Sequence, residues 1–341
     1  MTVLVSGATG FIAQHVVDSL LKASYKVIGT ARTPAKAAKL LEQFGHNSNL
    51  SMEVVPDISN IKGFDKVFEK HGKNINIVLH TASPFPFNIT QFEKDLLIPA
   101  RNGTRGILES IKKYSADTVE RVVVTSSFAS IWDFEAAPNR NFVYNEKMWN
   151  PAIWESAQTS AIMAYCASKK FAEETAWNFL HEYANKINFK LTTVNPVYVF
   201  GPQMFKSNVK ETLNTSCEII NKVLKSNPRE QLSLEIPGEF IDVRDIAKAH
   251  LAAFQKKETI GKRLLMSNGA FSEQTICNLI NEEFPQLQGK IAPWAKDIKL
   301  DTGDVPFSID NTMTRKLLEW DFIPIEKSVT DTVSQIIEAH K

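Results

Sequence analysis

The chain has 341 residues, 43% of them apolar and 23% charged, with 39 lysines and arginines against 38 acids for a formal net charge of +1. That length allows one large or two ordinary domains able to bury a core without staples, and the balanced charge excludes a generic nucleic-acid or anionic-membrane binder. The three cysteines (Cys166, Cys217 and Cys277) form no C-x-x-C pair, so neither a zinc ribbon nor a disulfide framework is indicated.

Met1 runs straight into Thr2-Val3-Leu4-Val5 with no basic leader, and no apolar run is long enough to cross a bilayer, so a cytoplasmic protein without a membrane span is expected. Val3-Leu4-Val5 reads as a strand ended by Ser6-Gly7. Phe11 to Lys22 reads as a helix with Ile12, Val16, Ser19 and Leu20 on one face. A strand over 26–31, a helix over 34–44, a strand over 50–55, a helix over 64–70 and a strand over 75–79 follow. A long helix is expected over 92–114, kinked at Pro99, then a strand over 121–125. A long loop-like stretch over 134–159 leads to a helix over 163–183 and a strand over 190–194. After Asn195-Pro196 strands become rarer. Alternating strands and helices predict an α/β fold: a Rossmann-type, doubly wound parallel sheet with a smaller, mostly C-terminal substrate lobe. The expected division is 1–195 for the dinucleotide half and 196–341 for the lobe, with some chain returning to the sheet around 241–265.

Between the first strand and the first helix lies Ser6-Gly7-Ala8-Thr9-Gly10-Phe11-Ile12-Ala13, a G-x-x-G-x-x-A loop. Gly7 permits the tight turn, Gly10 lets backbone approach a pyrophosphate, and Ala13 lets the helix pack close. The helix N-terminus offers free N–H groups and the positive end of its dipole to the anion. The second strand closes on Arg32, with Lys36 four residues on and no acid between Lys26 and Lys39. A dinucleotide with a free ribose 2′-hydroxyl is usually met here by a carboxylate; a guanidinium and an ammonium suit a 2′-phosphate, which selects NADPH. After the third strand, Asp57-Ile58 can meet the adenine amino group and ring, and Asp57 equally suits a helix N-cap.

Tyr165-Cys166-Ala167-Ser168-Lys169 is Y-x-x-x-K on a helix, which puts phenol and ammonium on one face a turn apart. The charge is expected to lower the tyrosine pKa. The phenol can then protonate a carbonyl oxygen as hydride reaches the carbon. Ser126-Ser127 ends the fifth strand at the carboxyl edge, where open α/β sheets bind ligands, and Ser127 is preferred over Ser126 as the group that bonds the substrate oxygen.

These motifs resemble the extended short-chain dehydrogenase/reductases, in their dihydroflavonol-4-reductase-like branch. The resemblance covers nearly the whole chain. Further carriers are His80-Thr81-Ala82-Ser83-Pro84-Phe85, Lys170-Phe171-Ala172-Glu173, Asn195-Pro196-Val197-Tyr198-Val199-Phe200-Gly201-Pro202 and Ile241-Asp242-Val243-Arg244-Asp245-Ile246-Ala247. It implies NADPH-dependent reduction of aldehydes, ketones and α-dicarbonyls of the methylglyoxal and 3-methylbutanal class. It implies Tyr165 as proton donor, Lys169 as its modulator and ribose ligand, and Ser127 as carbonyl anchor. Pro196, Val197 and Val199 would face the nicotinamide, and Ser216 a cofactor phosphate.

Phe85, Phe128, Ile162 and Tyr198 fall beside these motifs and could line an apolar substrate pocket. Asp242-Val243-Arg244-Asp245 reads as structural charge that ties the lobe to the sheet. The seven histidines are scattered without ligand spacing, no metal is implied, and His80 reads as a satisfied buried histidine. A monomer or a homodimer acting on a small carbonyl compound, without nucleic acid or membrane, is expected. Two alternatives stand beside the reductase: a nucleotide-sugar epimerase or dehydratase of the same fold, and a non-catalytic NADPH sensor.

Overall fold

The computed structural model describes residues 1–84, 90–137, 139, 141–235, 237–295 and 307–340. The first half alternates as the pattern predicts. β1 (Thr2–Ser6), α1 (Phe11–Lys22), β2 (Lys26–Ala31), α2 (Pro34–Gln43), β3 (Leu50–Val54), α3 (Asp65–His71), β4 (Ile77–His80), α4 (Ile98–Tyr114) and β5 (Arg121–Thr125) follow one another. A short β6 (Val143–Asn145) interrupts the long connection to α5 (Ala161–Glu182), and β7 (Lys190–Pro196) closes this half. Pro99 does not kink a long helix. It sits in the first turn of α4, where a missing N–H costs nothing, behind a separate π-helical turn at Glu93–Leu97.

The later chain holds β8 (Tyr198–Phe200), α6 (Thr215–Leu224), β9 (Gly238–Asp242), α7 (Val243–Gln255), β10 (Arg263–Met266), β11 (Ala270–Phe271), α8 (Glu273–Glu283), β12 (Ser308–Asp310), α9 (Thr312–Leu318) and α10 (Ile325–Ala339). Strands are therefore more numerous there than the sequence suggests, but they are short.

Seven parallel strands form the main sheet in the order β10-β7-β5-β4-β1-β2-β3. Val3, Leu4, Val78, Leu79, Val122 and Val123 are fully buried, as strands covered on both faces require. The order reverses between β1 and β4, and the crevice at their carboxyl ends is where such sheets bind ligands. α1 and α7 cover one face, with Val16, Leu20, Ile246 and Ala249 in a single apolar cluster. α4 and α5 lie over the other, with Ile107, Ile111 and Phe179.

β10 arrives from far along the chain to pair with β7 at the edge. β8, β9 and β11 make a small second sheet that packs with α6, α8 and α10 around Phe200, Phe240, Phe271 and Val333. Arg244 clamps the joint between the two parts. It bonds the fully buried Asp242 at 2.8 Å and reaches Asp331 of α10 at 2.5 Å, in line with a structural role for this segment. Asp245 accepts from the Trp320 indole at 3.1 Å and the Ile323 amide at 2.8 Å.

Candidate active site

The β1–α1 loop is built for close approach. Gly7 sits at φ +64°, and a Cβ there would stand 3.0 Å from Ala82, so only glycine fits both the turn and the neighbouring β4 loop. Its amide donates to Thr30 Oγ1 at 3.1 Å, and the Ala8 amide to Thr30 O at 2.9 Å, pinning the loop to β2. Ala8 is fully buried beneath the loop, so it contributes backbone only. Gly10 caps α1 without any side-chain acceptor, leaving the first N–H groups of the helix for an anion. Ala13 is buried at the close helix–sheet contact.

A cleft of about 330 Å³ opens from this helix end across the carboxyl edge of the sheet. Gly10, Phe11, Ile12, Ser127, Tyr165, Lys169, Pro196, Val197, Val199 and Ser216 all border it. The structure thus brings together the glycine loop, the serine and the Y-x-x-x-K pair, which lie on separate parts of the sequence. Ser216 Oγ accepts from the Val199 amide at 3.2 Å and so holds the β8 entrance against the start of α6.

Tyr165 and Lys169 share one face of α5, the ammonium lying 5.7 Å from the phenol ring centre. Burial pushes the Tyr165 phenol up to about 12, with Cys166 adding to the rise and a hydrogen bond with Ser127 opposing it. Lys169 is not among the groups that lower it. The downward shift expected from spacing alone gives way to desolvation, which the sequence does not display. Burial likewise brings the Lys169 ammonium down to about 8, and Lys169 Nζ donates to Ser83 Oγ at 2.8 Å. At neutral pH the phenol therefore carries its proton and can give it away.

One residue on the same stripe enters the sequence reading only as a carrier of the resemblance and is given no role there. Glu173 lies one further turn along α5 and is fully buried. Its Oε2 accepts from Ser126 Oγ at 2.5 Å, Ser130 Oγ at 2.6 Å and Asn195 Nδ2 at 2.7 Å. Its Oε1 meets Arg263 Nε of β10 at 2.5 Å and Thr193 Oγ1 at 3.1 Å. Burial favours the neutral acid, but Arg263 and the hydroxyl donors outweigh it and hold the carboxyl below its ordinary range. This network fixes Ser127 from behind: Ser130 Oγ lies 2.7 Å from Ser127 O, its one hydrogen shared between that carbonyl and Glu173, and Asn195 Nδ2 donates to Ser127 O at 3.3 Å. On the other side Thr125 shares a 2.7 Å bond with His250, which is fully buried and held by Ile246 O. The signal available in the sequence was the repeat of period four, Tyr165-Lys169-Glu173.

Thr81, Ser83, Asn214 and Thr215 also border the cleft, although the sequence reading gave them no part in the site. Thr81 and Ser83 follow β4 at the same carboxyl edge that marked Ser127. His80 is buried and bonded to Ser6 Oγ at 2.9 Å, as expected of a satisfied core histidine.

At the nucleotide end, Arg32 follows β2, and Asp57 follows β3, the neighbouring strand. Asp57 Oδ1 accepts from the amide and hydroxyl of Ser59 at 2.8 and 2.7 Å; these bonds lower its pKa, and Arg32 adds to the effect. Asp57 thus closes a local turn and does not cap a helix. Ile58 packs partly buried beside it, against the cluster under α4. Thr9 and Lys36 border an adjoining cleft, described below.

The pocket aromatics behave differently. Phe128 is buried in its own cluster, stacked on Phe307 at 5.8 Å and edge-on to Tyr144 at 5.2 Å, so it does not border the cleft. Ile162 is 52% exposed at the start of α5 and does not border it either. Tyr198 packs edge-on against Phe271 at 5.5 Å, close enough to Tyr165 for the two phenols to influence each other. Phe85 lies outside the described residues. Among the described residues no cluster of His, Cys, Asp and Glu could hold a metal, and no helix is long and apolar enough to cross a membrane.

Comparison with known proteins follows this geometry closely. Residues 3–266 match the model described as the NAD dependent epimerase/dehydratase family. The chain is 54% identical over 338 residues to an NADPH-dependent methylglyoxal reductase of Saccharomyces cerevisiae, covering 99% of this chain and 98% of the relative. The solved complex of yeast methylglyoxal/isovaleraldehyde reductase with NADPH superposes with a TM-score of 0.96 at 54% identity, over 100% of this chain and 99% of that one. A second solved NADPH complex, from Candida albicans, gives 0.96 at 44% identity with both chains covered in full.

Proposed function

The chain belongs to the NAD dependent epimerase/dehydratase family, and from that membership we propose that it works as an NADPH-dependent carbonyl reductase that turns small aldehydes, ketones and α-dicarbonyls into alcohols. It is an oxidoreductase with a Rossmann-type α/β fold, and its cofactor is NADPH. The observation that carries the mechanism is the single cleft that gathers the β1–α1 loop, Ser127, Tyr165 and Lys169.

The residues present fit the dinucleotide. The glycine turn leaves no room for a Cβ, α1 presents an uncapped N-terminus, and Arg32 directly follows β2, near enough to Asp57 to lower its pKa. In this reading Gly7 to Ile12 hold the pyrophosphate through backbone, Asp57 and Ile58 meet the adenine, and Arg32 with Lys36 take the 2′-phosphate. Pro196, Val197 and Val199 wall the nicotinamide, and Ser216 reaches a phosphate. NADPH when bound supplies the hydride.

The protein's own part is to place and protonate the carbonyl. Ser127 donates a hydrogen bond to its oxygen. Tyr165, protonated at neutral pH, delivers a proton to that oxygen as negative charge builds there. Lys169 anchors the ribose; its amine is already neutral where the phenol titrates, so it leaves the resting pKa unmoved, but at neutral pH it stands charged 5.7 Å from the ring centre and faces the phenolate as it forms. The Glu173–Arg263 pair keeps Ser127 at its post.

The methylglyoxal and 3-methylbutanal class of substrate rests on the names of the relatives and on a cleft with apolar walls at Val197 and Val199. An epimerase or dehydratase acting on a nucleotide sugar is disfavoured by Arg32, because those enzymes ordinarily keep the unphosphorylated dinucleotide. A pure sensor is disfavoured by the intact pair Tyr165 and Lys169. The test is loss of NADPH absorbance with methylglyoxal or 3-methylbutanal, run beside NADH and beside Tyr165→Phe. Rapid NADPH oxidation that the variant abolishes supports the reductase; tight NADPH binding without turnover across a panel of carbonyls rejects it.

A further inference from the structure

A second cleft, of about 370 Å³, adjoins the first and shares Phe11 and Asn214 with it. Three lysines border it and no acid does: Lys36 and Lys39 from α2, and Lys210 from the segment 203–214 that connects β8 to α6. None of the three ammonium groups has a hydrogen-bond or ion-pair partner among the described residues, and what sets them apart is that they border one concavity with no acid on its walls. Three unpaired cations around one concavity repel one another and favour an anion between them.

The segment that carries Lys210 is fastened across the nucleotide half. Gln43 Nε2 of α2 donates to Ser207 Oγ and to Asn208 Oδ1, both at 2.9 Å. Asn208 Nδ2 donates to Gln14 Oε1 at 2.7 Å, and Gln14 Nε2 donates to the carbonyl of Thr9 in the glycine loop at 2.8 Å. Phe205 lies edge-on to Phe44 at 4.9 Å. At its other end the segment is tied to the lobe, where Asn221 Nδ2 donates to Glu211 O at 2.8 Å. Lys210 therefore sits between two anchorages, on a strap tied through Gln14 to the phosphate loop, and borders the same cleft as Lys36.

We propose that Lys210, supported by Lys39, is a further ligand of the cofactor's 2′-phosphate, so that the preference for NADPH is set from both sides of this cleft and not by Arg32 and Lys36 alone. The inference rests on the NADPH reading above. An ammonium brought to a phosphate dianion by an anchored strap makes a charge-assisted hydrogen bond at little ordering cost.

The experiment measures dissociation constants of NADPH and NADH by fluorescence titration at low and high salt, with 2′,5′-ADP and 5′-ADP as fragment probes. The proteins are wild type, Lys210→Met, Lys210→Arg, Lys39→Met and Arg32→Ala, each with its melting temperature checked. Lys210→Met is expected to weaken NADPH and 2′,5′-ADP by about tenfold. It should leave NADH and 5′-ADP within about twofold and flatten the salt dependence, with Lys210→Arg close to wild type. Unchanged NADPH affinity in Lys210→Met overturns the proposal, as does an equal weakening of NADPH and NADH. Equal binding of the two nucleotides by wild type, unmoved by Arg32→Ala, removes the NADPH reading itself and is distinguishable from either result.

Discussion

The two ends of the site are made on opposite plans. Around Glu173 polar groups are paired many times over: one fully buried carboxylate meets Ser126, Ser130, Thr193, Asn195 and Arg263, all of them buried. Around Lys36, Lys39 and Lys210 the charges have no protein partner among the described residues and face an open cleft. The first arrangement orients groups before substrate arrives, because a fully satisfied buried network has one low-energy geometry. The second leaves its electrostatic attraction to be used on an incoming anion. Reactivity is expected to depend on the first region and nucleotide choice on the second.

The sharpest cut at the inner end is Tyr165→Phe. It removes the transferable proton and little else, so kcat should fall by about 10²–10⁴-fold while NADPH affinity stays within about twofold, read by steady-state rates and fluorescence titration. Next in size is Arg263→Met, which leaves Glu173 buried without its counter-ion. Unfolding stability should drop by about 3–5 kcal/mol in a denaturant titration. A loss below about 1 kcal/mol would mean that the network around Ser127 does not depend on this pair.

At the outer end, Arg32→Ala should lower the preference for NADPH over NADH by about 10–100-fold. Stability should stay within about 0.5 kcal/mol, as for an ordinary surface change. If Arg32→Ala cost as much stability as Arg263→Met, the contrast between the two ends would be lost.

The buried groups of the inner end also respond to pH. Lys169 is held near 8, so reduction should decline as pH rises through that value and the ammonium beside Tyr165 is lost. A flat profile between pH 7 and pH 9 would separate Lys169 from the proton transfer. His80 and His250 are pushed by burial down to about 4. The unfolded chain protonates them near the ordinary histidine value, well before the native state does. Their contribution to stability is complete above about pH 6.5 and is lost as pH falls toward 4, at about 1.4 kcal/mol per pH unit for each histidine.

Local rules carried much of this into view from the sequence. Phe11–Lys22, Lys26–Ala31 and Arg121–Thr125 keep the boundaries that glycine, charge and apolar runs mark out. Tyr165 and Lys169 were readable because a helix makes i and i+4 neighbours wherever it is placed. What could not be read depends on distant chain. β10 joins the sheet through residues that resemble any short apolar run, and its place at the edge is decided by pairing with β7. Phe128 looked like a pocket residue because it follows Ser127, but Tyr144 across the long connection and Phe307, far along the chain, draw it into the core. The Tyr165 shift reversed direction because spacing reports a neighbouring charge and says nothing of burial. The strap with Lys210 is fixed by bonds between residues more than 160 positions apart.

The position of Arg263 has a consequence for the order in which the protein becomes competent during its synthesis. The glycine loop and the first strands are complete within the opening stretch of chain and can begin to assemble as soon as they emerge. The turn that presents Ser127 cannot settle then, because its carboxylate brace waits for an arginine on a strand made only after β8, β9 and α7. A nascent or truncated chain ending before that strand could hold nucleotide and still lack a fixed serine. Competence for the reaction is thus withheld until nearly four-fifths of the chain has been made.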